Sequence, residues 1–86
     1  MNSLRSMFER LAELEAEFEK LEVDLPDIMA SGDRGASRDA GRRHAELKPI
    51  VDTYRSYRDI DQQLTETREL LAVEDDAEMR EYLGEE

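Results

Sequence analysis

The single histidine, His44, is the side chain whose type most readily suggests acid–base or metal chemistry, because it titrates near neutral pH. It lies three residues before Leu47 on a stripe of apolar residues. The chain has no cysteine and no second histidine, and no serine–histidine–aspartate set can be assembled around this one. We therefore interpret His44 as a packed or half-exposed helix residue and predict no catalytic residue.

Two further patterns suggest ligand binding but lack parts of the motifs they resemble. The acidic run at 74–78 has carboxylates for a hard cation, yet lacks the alternating ligands and central glycine of an EF-hand loop. Helix capping and compensation of the helix dipole explain these acids better. Gly32 and Gly35 are spaced as in a phosphate-binding loop, but the lysine and the preceding apolar strand are missing. The sequence predicts no metal and no cofactor.

One basic stretch interrupts an otherwise acidic chain, and His44 lies within it. Its cationic members are Arg34, Arg38, Arg42, Arg43 and Lys48. Such a stretch is typical either of a contact with RNA or an acidic protein, or of a solvated face that complements acidic residues of the same molecule. Neighbouring acids dilute the stretch and no aromatic stacking platform accompanies it, which favours the second interpretation.

Composition excludes several classes of protein. The 86 residues include 12 Lys and Arg against 23 Asp and Glu, for a net charge of −11, and there is no cysteine. A disulfide framework and a thiolate metal site are excluded. No stretch approaches the roughly 20 apolar residues of a membrane span, and the charge disfavours direct DNA binding. We expect a cytoplasmic protein that binds no membrane.

The first 25 residues have the spacing of a coiled-coil helix. Apolar residues recur at alternating steps of three and four, at Leu4, Met7, Leu11, Leu14, Phe18, Leu21 and Leu25. Three heptads of this kind predict a helix over about 3–23, with Ser3 as its N-cap. Pro26 disfavours the helical conformation of the residue before it, so we expect the helix to stop there.

The remainder of the chain predicts two more helices after a loop at 31–37. Ser37 is placed as the cap of a helix over 38–72, kinked near Pro49, and a short helix follows over 76–83. The predicted fold is all-α: a single domain, 1–86, formed by an antiparallel, coiled-coil-like helical hairpin with a short third helix. Its core is expected to join Leu11, Leu14, Phe18 and Leu21 to Leu47, Val51 and Tyr54.

The order of several short motifs gives the chain a family resemblance. HAELKPIV at 44–51, YRSY at 54–57, ELL at 69–71 and DDAEMRE at 75–81 follow the opening FERL at 8–11. Together they resemble the N-terminal helical domain of bacterial peptide chain release factor 1, in the class I release factor family. The resemblance covers almost the whole chain.

This resemblance implies a part of a translation termination factor. In that family codon reading and the Gly-Gly-Gln catalytic loop belong to later domains, so no catalytic residue is carried over. It implies a non-catalytic element, the N-terminal fragment of a larger protein, that docks near the ribosomal stalk base. The candidate ribosome contacts are Arg34, Arg38, Arg42 and Arg43.

An alternative function remains open at this point. The chain also has the features of a stand-alone acidic coiled-coil adaptor that self-associates through the seam from Leu4 to Leu25. For either function we expect weak self-association of the isolated chain, because Ile60, Leu64 and Leu71 have no evident partner in the sequence.

Overall fold

A computed structural model of the chain describes residues 3–84, and they form two helices. Helix α1 spans Ser3–Ala30 and helix α2 spans Arg34–Tyr82. No strand occurs in the described part, so the predicted all-α class is confirmed. By its contacts the chain divides into two compact units, Met1–Arg55 and Ser56–Glu86. The first unit contains the hairpin of α1 and the beginning of α2, and the second contains the rest of α2.

The core of the hairpin is small and lies where the predicted apolar stripes meet. Phe18 of α1 and Leu47 and Val51 of α2 are buried, and Leu14 and Leu21 pack against them. The heptad spacing brings these residues to one face of each helix, and burying that face stabilises the pairing. The predicted antiparallel packing is confirmed for these five residues. Leu11 and Tyr54, also predicted in the core, are half-buried.

The predicted end of α1 at residue 23 is wrong, because the helix continues through Pro26 to Ala30. Proline removes one backbone hydrogen bond, but Leu25 and Ile28 are half-buried along this last part of α1. Continued packing thus opposes the loss. The helix ends at Ala30, and Gly32, two residues beyond, has a left-handed φ of 79° that suits glycine.

The connection between the helices is shorter than the predicted loop at 31–37. It consists of Ser31–Asp33, and α2 begins at Arg34 rather than at 38. Asp33, not Ser37, caps α2: its carboxylate accepts a hydrogen bond from the Ala36 N–H at 3.0 Å. Ser37 lies inside α2, and its hydroxyl donates to the carbonyl of Ile28 in α1 at 3.4 Å.

The predicted third helix over 76–83 does not exist as a separate element. Helix α2 is continuous through residues 72–75, which contain no glycine or proline to interrupt it, and ends at Tyr82. Gly84, with a φ of 75°, follows that end. The predicted continuity of α2 through Pro49 is confirmed, and the kink there stays a prediction.

Candidate interaction surface on helix α2

One of the four candidate arginines, Arg43, joins the two helices. Its guanidinium donates two hydrogen bonds to the Glu17 carboxylate in α1, through Nε to Oε2 and through Nη2 to Oε1, the latter at 2.9 Å. This bidentate pairing lowers the pKa of Glu17 and raises the pKa of Arg43. Arg43 is half-buried and also lies 3.5 Å from Glu46 of its own helix. It therefore fits the interpretation that basic residues of α2 complement acidic α1.

A second arginine, Arg55, holds α1 in the same way, and the sequence analysis did not identify it. Its Nε lies 2.8 Å from Glu15 Oε2 and its Nη2 lies 3.2 Å from Glu19 Oε1. The guanidinium also lies 5.7 Å from the centroid of the Phe18 ring, within cation–π range. The hydrogen bond to Glu15 raises the pKa of Arg55. The sequence signal that could have indicated an arginine contact here was the pair of acids Glu15 and Glu19, which lie one helical turn apart on either side of Phe18 in the sequence.

His44 has the structural role that its position in the sequence predicts. Its ring stacks on Phe18, with ring centroids 4.5 Å apart and an interplanar angle of 24°. Its Nε2 lies 3.6 Å from the Glu22 carboxylate of α1. His44 is half-buried at the edge of the core, which confirms the prediction of a packed helix residue.

The other three candidates, Arg34, Arg38 and Arg42, differ from Arg43 in exposure and in pairing. All three side chains are exposed. Within residues 3–84 none of them has a carboxylate within ion-pair distance. They recur every four residues, so they follow one face of α2, and this face is turned away from the core residues Leu47 and Val51. The structure therefore separates an exposed row of three arginines from the interhelical pair formed by Arg43.

The remaining ligand-binding patterns have no such arrangement. Across the described residues no group of three or more His, Cys, Asp or Glu side chains is placed to hold a metal ion. Asp75 and Glu78 of the acidic run lie with Met79 and Tyr82 along one face of α2, where they line a shallow, open depression. No helix within residues 3–84 combines the length and the apolar character that crossing a membrane requires.

Comparison with known proteins assigns the family. Residues 14–86, which include most of α1, all of α2 and all four candidate arginines, match the PCRF domain. The chain belongs to the PCRF domain family. This PCRF domain is 39% identical over 82 residues to peptide chain release factor 1 of Syntrophobacter fumaroxidans, covering 93% of the chain and 22% of that protein.

Two other relatives give the same result. Peptide chain release factor 1 of Lysinibacillus sphaericus is 36% identical over 80 residues, and that of Bacillus subtilis is 35% identical over 80 residues. Each alignment covers 93% of this chain and 22% of the relative, so the chain spans about a fifth of the curated relatives' length. No solved structure matches significantly. The predicted resemblance to the release factor 1 family is confirmed.

Proposed function

We propose that this PCRF domain acts in translation termination, as the N-terminal, non-catalytic element of a peptide chain release factor that docks on the ribosome at the stalk-base region. The observation that carries the proposal is the alignment of 93% of the chain with curated release factors 1 at 35–39% identity. In this proposal peptide release is catalysed by the remainder of the factor.

The arrangement of charged groups in the hairpin supports a positioning role. Glu15, Glu17 and Glu19 of α1 are held by the guanidinium groups of Arg43 and Arg55. The only histidine is stacked on Phe18. These groups orient α2 against α1, and in doing so they present the opposite face of α2 outward.

The exposed face of α2 is the proposed docking surface. Of the four candidate contacts, Arg34, Arg38 and Arg42 are free of intramolecular partners among residues 3–84, whereas Arg43 is paired with Glu17. The three exposed arginines therefore touch the ribosome, and Arg43 acts by keeping α2 in place. Contacts of this kind weaken as salt rises, because exposed charges are screened.

A termination assay tests this function. Ribosomes stalled at a stop codon are given the complete factor, the factor without residues 1–86, or the 86-residue chain alone. We expect no release by the chain alone and slower release by the shortened factor, with the deficit greatest at low factor concentration. Release by the chain alone refutes the non-catalytic role, and full activity of the shortened factor refutes the docking role.

A matched pair of variants assigns the docking surface. Replacing Arg34 and Arg38 with Gln in the complete factor removes two charges and should raise the factor concentration needed for half-maximal release. Replacing Arg68 and Arg80, which also lie on the exposed surface of α2, is the control and should have a smaller effect. Equal effects of the two sets would contradict the assignment of the docking face.

The alternative of a self-associating adaptor is less well supported by the hairpin. The seam that would pair two copies includes Leu14, Phe18 and Leu21, and these residues already pack within the chain against α2. Weak self-association through the second unit stays a prediction, because Ile60, Leu64 and Leu71 are exposed there. Sedimentation over a range of concentrations tests it, and a monomer at millimolar protein would contradict it.

A further inference from the structure

We propose that Arg34, Arg38 and Arg42 form a binding site for the phosphate backbone of RNA. The proposal rests on the proposed function and deepens it, because it names the ribosomal component at the docking surface as RNA rather than protein.

The geometry of the three arginines suits an extended anion. At 1.5 Å per residue, a step of four residues separates neighbouring arginines by about 6 Å along the helix axis. At 3.6 residues per turn, all three fall within a sector of about 80° around that axis. They form an open row of guanidinium groups along the helix surface, which is the shape needed to contact successive phosphates of one strand.

Local charge makes this segment the place where a polyanion can approach. Residues 34–48 include five basic and two acidic side chains, although the whole chain has a net charge of −11. Acidic surfaces elsewhere repel RNA, so they orient the approach toward this part of α2. Arg43 and Lys48 are neutralised by Glu17 and Asp52, so the net positive charge of this segment comes from the three exposed arginines.

Small residues beside the arginines leave room for close approach. Gly41 and Ala45 lie in the same part of α2, and both are exposed. Glycine in a helix interior is unfavourable, and nothing lies within 4 Å of the position a Cβ would occupy at Gly41. Contacts inside the chain therefore do not require glycine at this position. Close approach of the RNA backbone between the arginine side chains accounts for the glycine at position 41.

The chemistry of the patch favours RNA over a protein surface. The centre of a protein–protein interface is usually apolar and rich in aromatic anchors, and the Arg34–Ala45 face has neither. The guanidinium group matches phosphate oxygens through paired hydrogen bonds. Contacts from arginine to the nucleic acid backbone position a protein without reading sequence, which is the task of a docking element.

The test is an NMR titration of the 86-residue chain with a 12-nucleotide oligouridylate. We expect amide shifts concentrated at residues 34–45 and weaker binding as salt rises. Three neutralised phosphates of a single strand correspond to a slope of about −2 in log affinity against log salt, or about a 20-fold loss of affinity between 50 and 200 mM salt. Shifts concentrated elsewhere, or no shifts at millimolar RNA, would overturn the proposal.

Substitutions within the arginine row, beside it and away from it make the result specific. Each replacement of Arg34, Arg38 or Arg42 with Gln should reduce the salt slope by about 0.7, and the triple variant should abolish the shifts. Arg68→Gln with Arg80→Gln is the control for the double replacement of Arg34 and Arg38 with Gln, because each removes two charges, and it should leave the slope and the shifts unchanged. Gly41→Leu, whose Cβ meets no atom within 4 Å in the free chain, should weaken RNA binding while the hairpin stays folded.

A polyglutamate peptide of the same charge separates RNA from an acidic protein partner. We expect weaker shifts with the peptide than with the oligouridylate, and equal shifts would overturn the choice of RNA. Failure of this titration does not imply failure of the proposed function, because the termination assay measures release by the complete factor whichever molecule the arginines touch.

Discussion

Replacing Leu47 with alanine is the most direct test of the hairpin core. Leu47 is 1% exposed and packs with Phe18 and Val51 at the centre of a cluster that has only three buried members and two partly buried ones. Leu→Ala at buried sites costs about 3–5 kcal/mol through lost burial and the cavity left behind. For a unit this small the lower figure applies, since the thin core can partly collapse.

A loss of about 3 kcal/mol should be easily measured. It changes the folding equilibrium by roughly 100-fold and lowers the melting temperature by roughly 12–24 °C for a domain of this size. Thermal unfolding followed through the NMR signals of Phe18 and Val51 reports on the hairpin itself. The matched control is Leu70→Ala, which removes the same atoms from a side chain that is 71% exposed on the same helix. We expect that control to change stability by less than about 0.5 kcal/mol. Equal melting shifts for the two variants would refute the assignment of the core.

Three further predictions concern the cap, the helix interior and the interhelical ion pair. Asp33→Ala should destabilise the chain by about 1 kcal/mol in urea unfolding, because the Ala36 N–H loses its acceptor. The control is Asp39→Ala, which removes an aspartate from the interior of α2 rather than from its cap, and it should cost less. Gly41→Ala should stabilise it by about 0.5–1 kcal/mol in the same measurement, because the new Cβ meets no atom within 4 Å. Arg43 lowers the pKa of Glu17 in the folded chain, so this stabilisation is present above the ordinary value of 4.5 and is lost as pH falls through the lowered pKa. Glu17→Gln should therefore remove part of the acid-induced loss of stability, measured by melting temperature below about pH 4.5.

Each of these has an outcome that would contradict it. Equal losses for Asp33→Ala and Asp39→Ala would mean that the cap is energetically unimportant. A destabilised Gly41→Ala variant would mean that another atom lies close to the new Cβ, contrary to the structure. Ala45→Gly makes the opposite change at an exposed position of the same helix and should destabilise the chain. An unchanged acid profile in Glu17→Gln would show that the pair with Arg43 is screened in solution.

Local pattern was sufficient for the hairpin core and for the family. Leu14, Phe18 and Leu21 belong to one heptad series, and Leu47 and Val51 are one turn apart, so each set lies on one helix face before any tertiary contact is known. Their packing against each other was predicted for that reason. The order and spacing of the motifs at 44–51, 69–71 and 75–81 together indicated the release factor family, which the PCRF match confirmed.

Helix ends were predicted less well, because they depend on small competing energies. Pro26 and the 72–75 segment read locally as breaks, and in both places the structure has continuous helix. At Pro26 the half-buried Leu25 and Ile28 favour continuation. At the connection, both Asp33 and Ser37 have side chains of a type that caps helices. Asp33 caps α2 because the turn at Gly32 ends immediately before it.

The sequence by itself determined that four arginines lie close together at 34–43 in an acidic chain, and it placed all of them except Arg34 on a helix. Only the tertiary structure decided that Arg43 is paired while Arg34, Arg38 and Arg42 have no partner within residues 3–84. The partner of Arg43 in α1 is Glu17, 26 residues away, and the partners of Arg55 in α1 are 36 and 40 residues away. Whether an arginine finds a carboxylate across a hairpin depends on the rotation of one helix about its axis relative to the other. That rotation is set by the packing of Phe18 against Leu47 and Val51. It therefore cannot be predicted from the spacing of charged residues along the sequence.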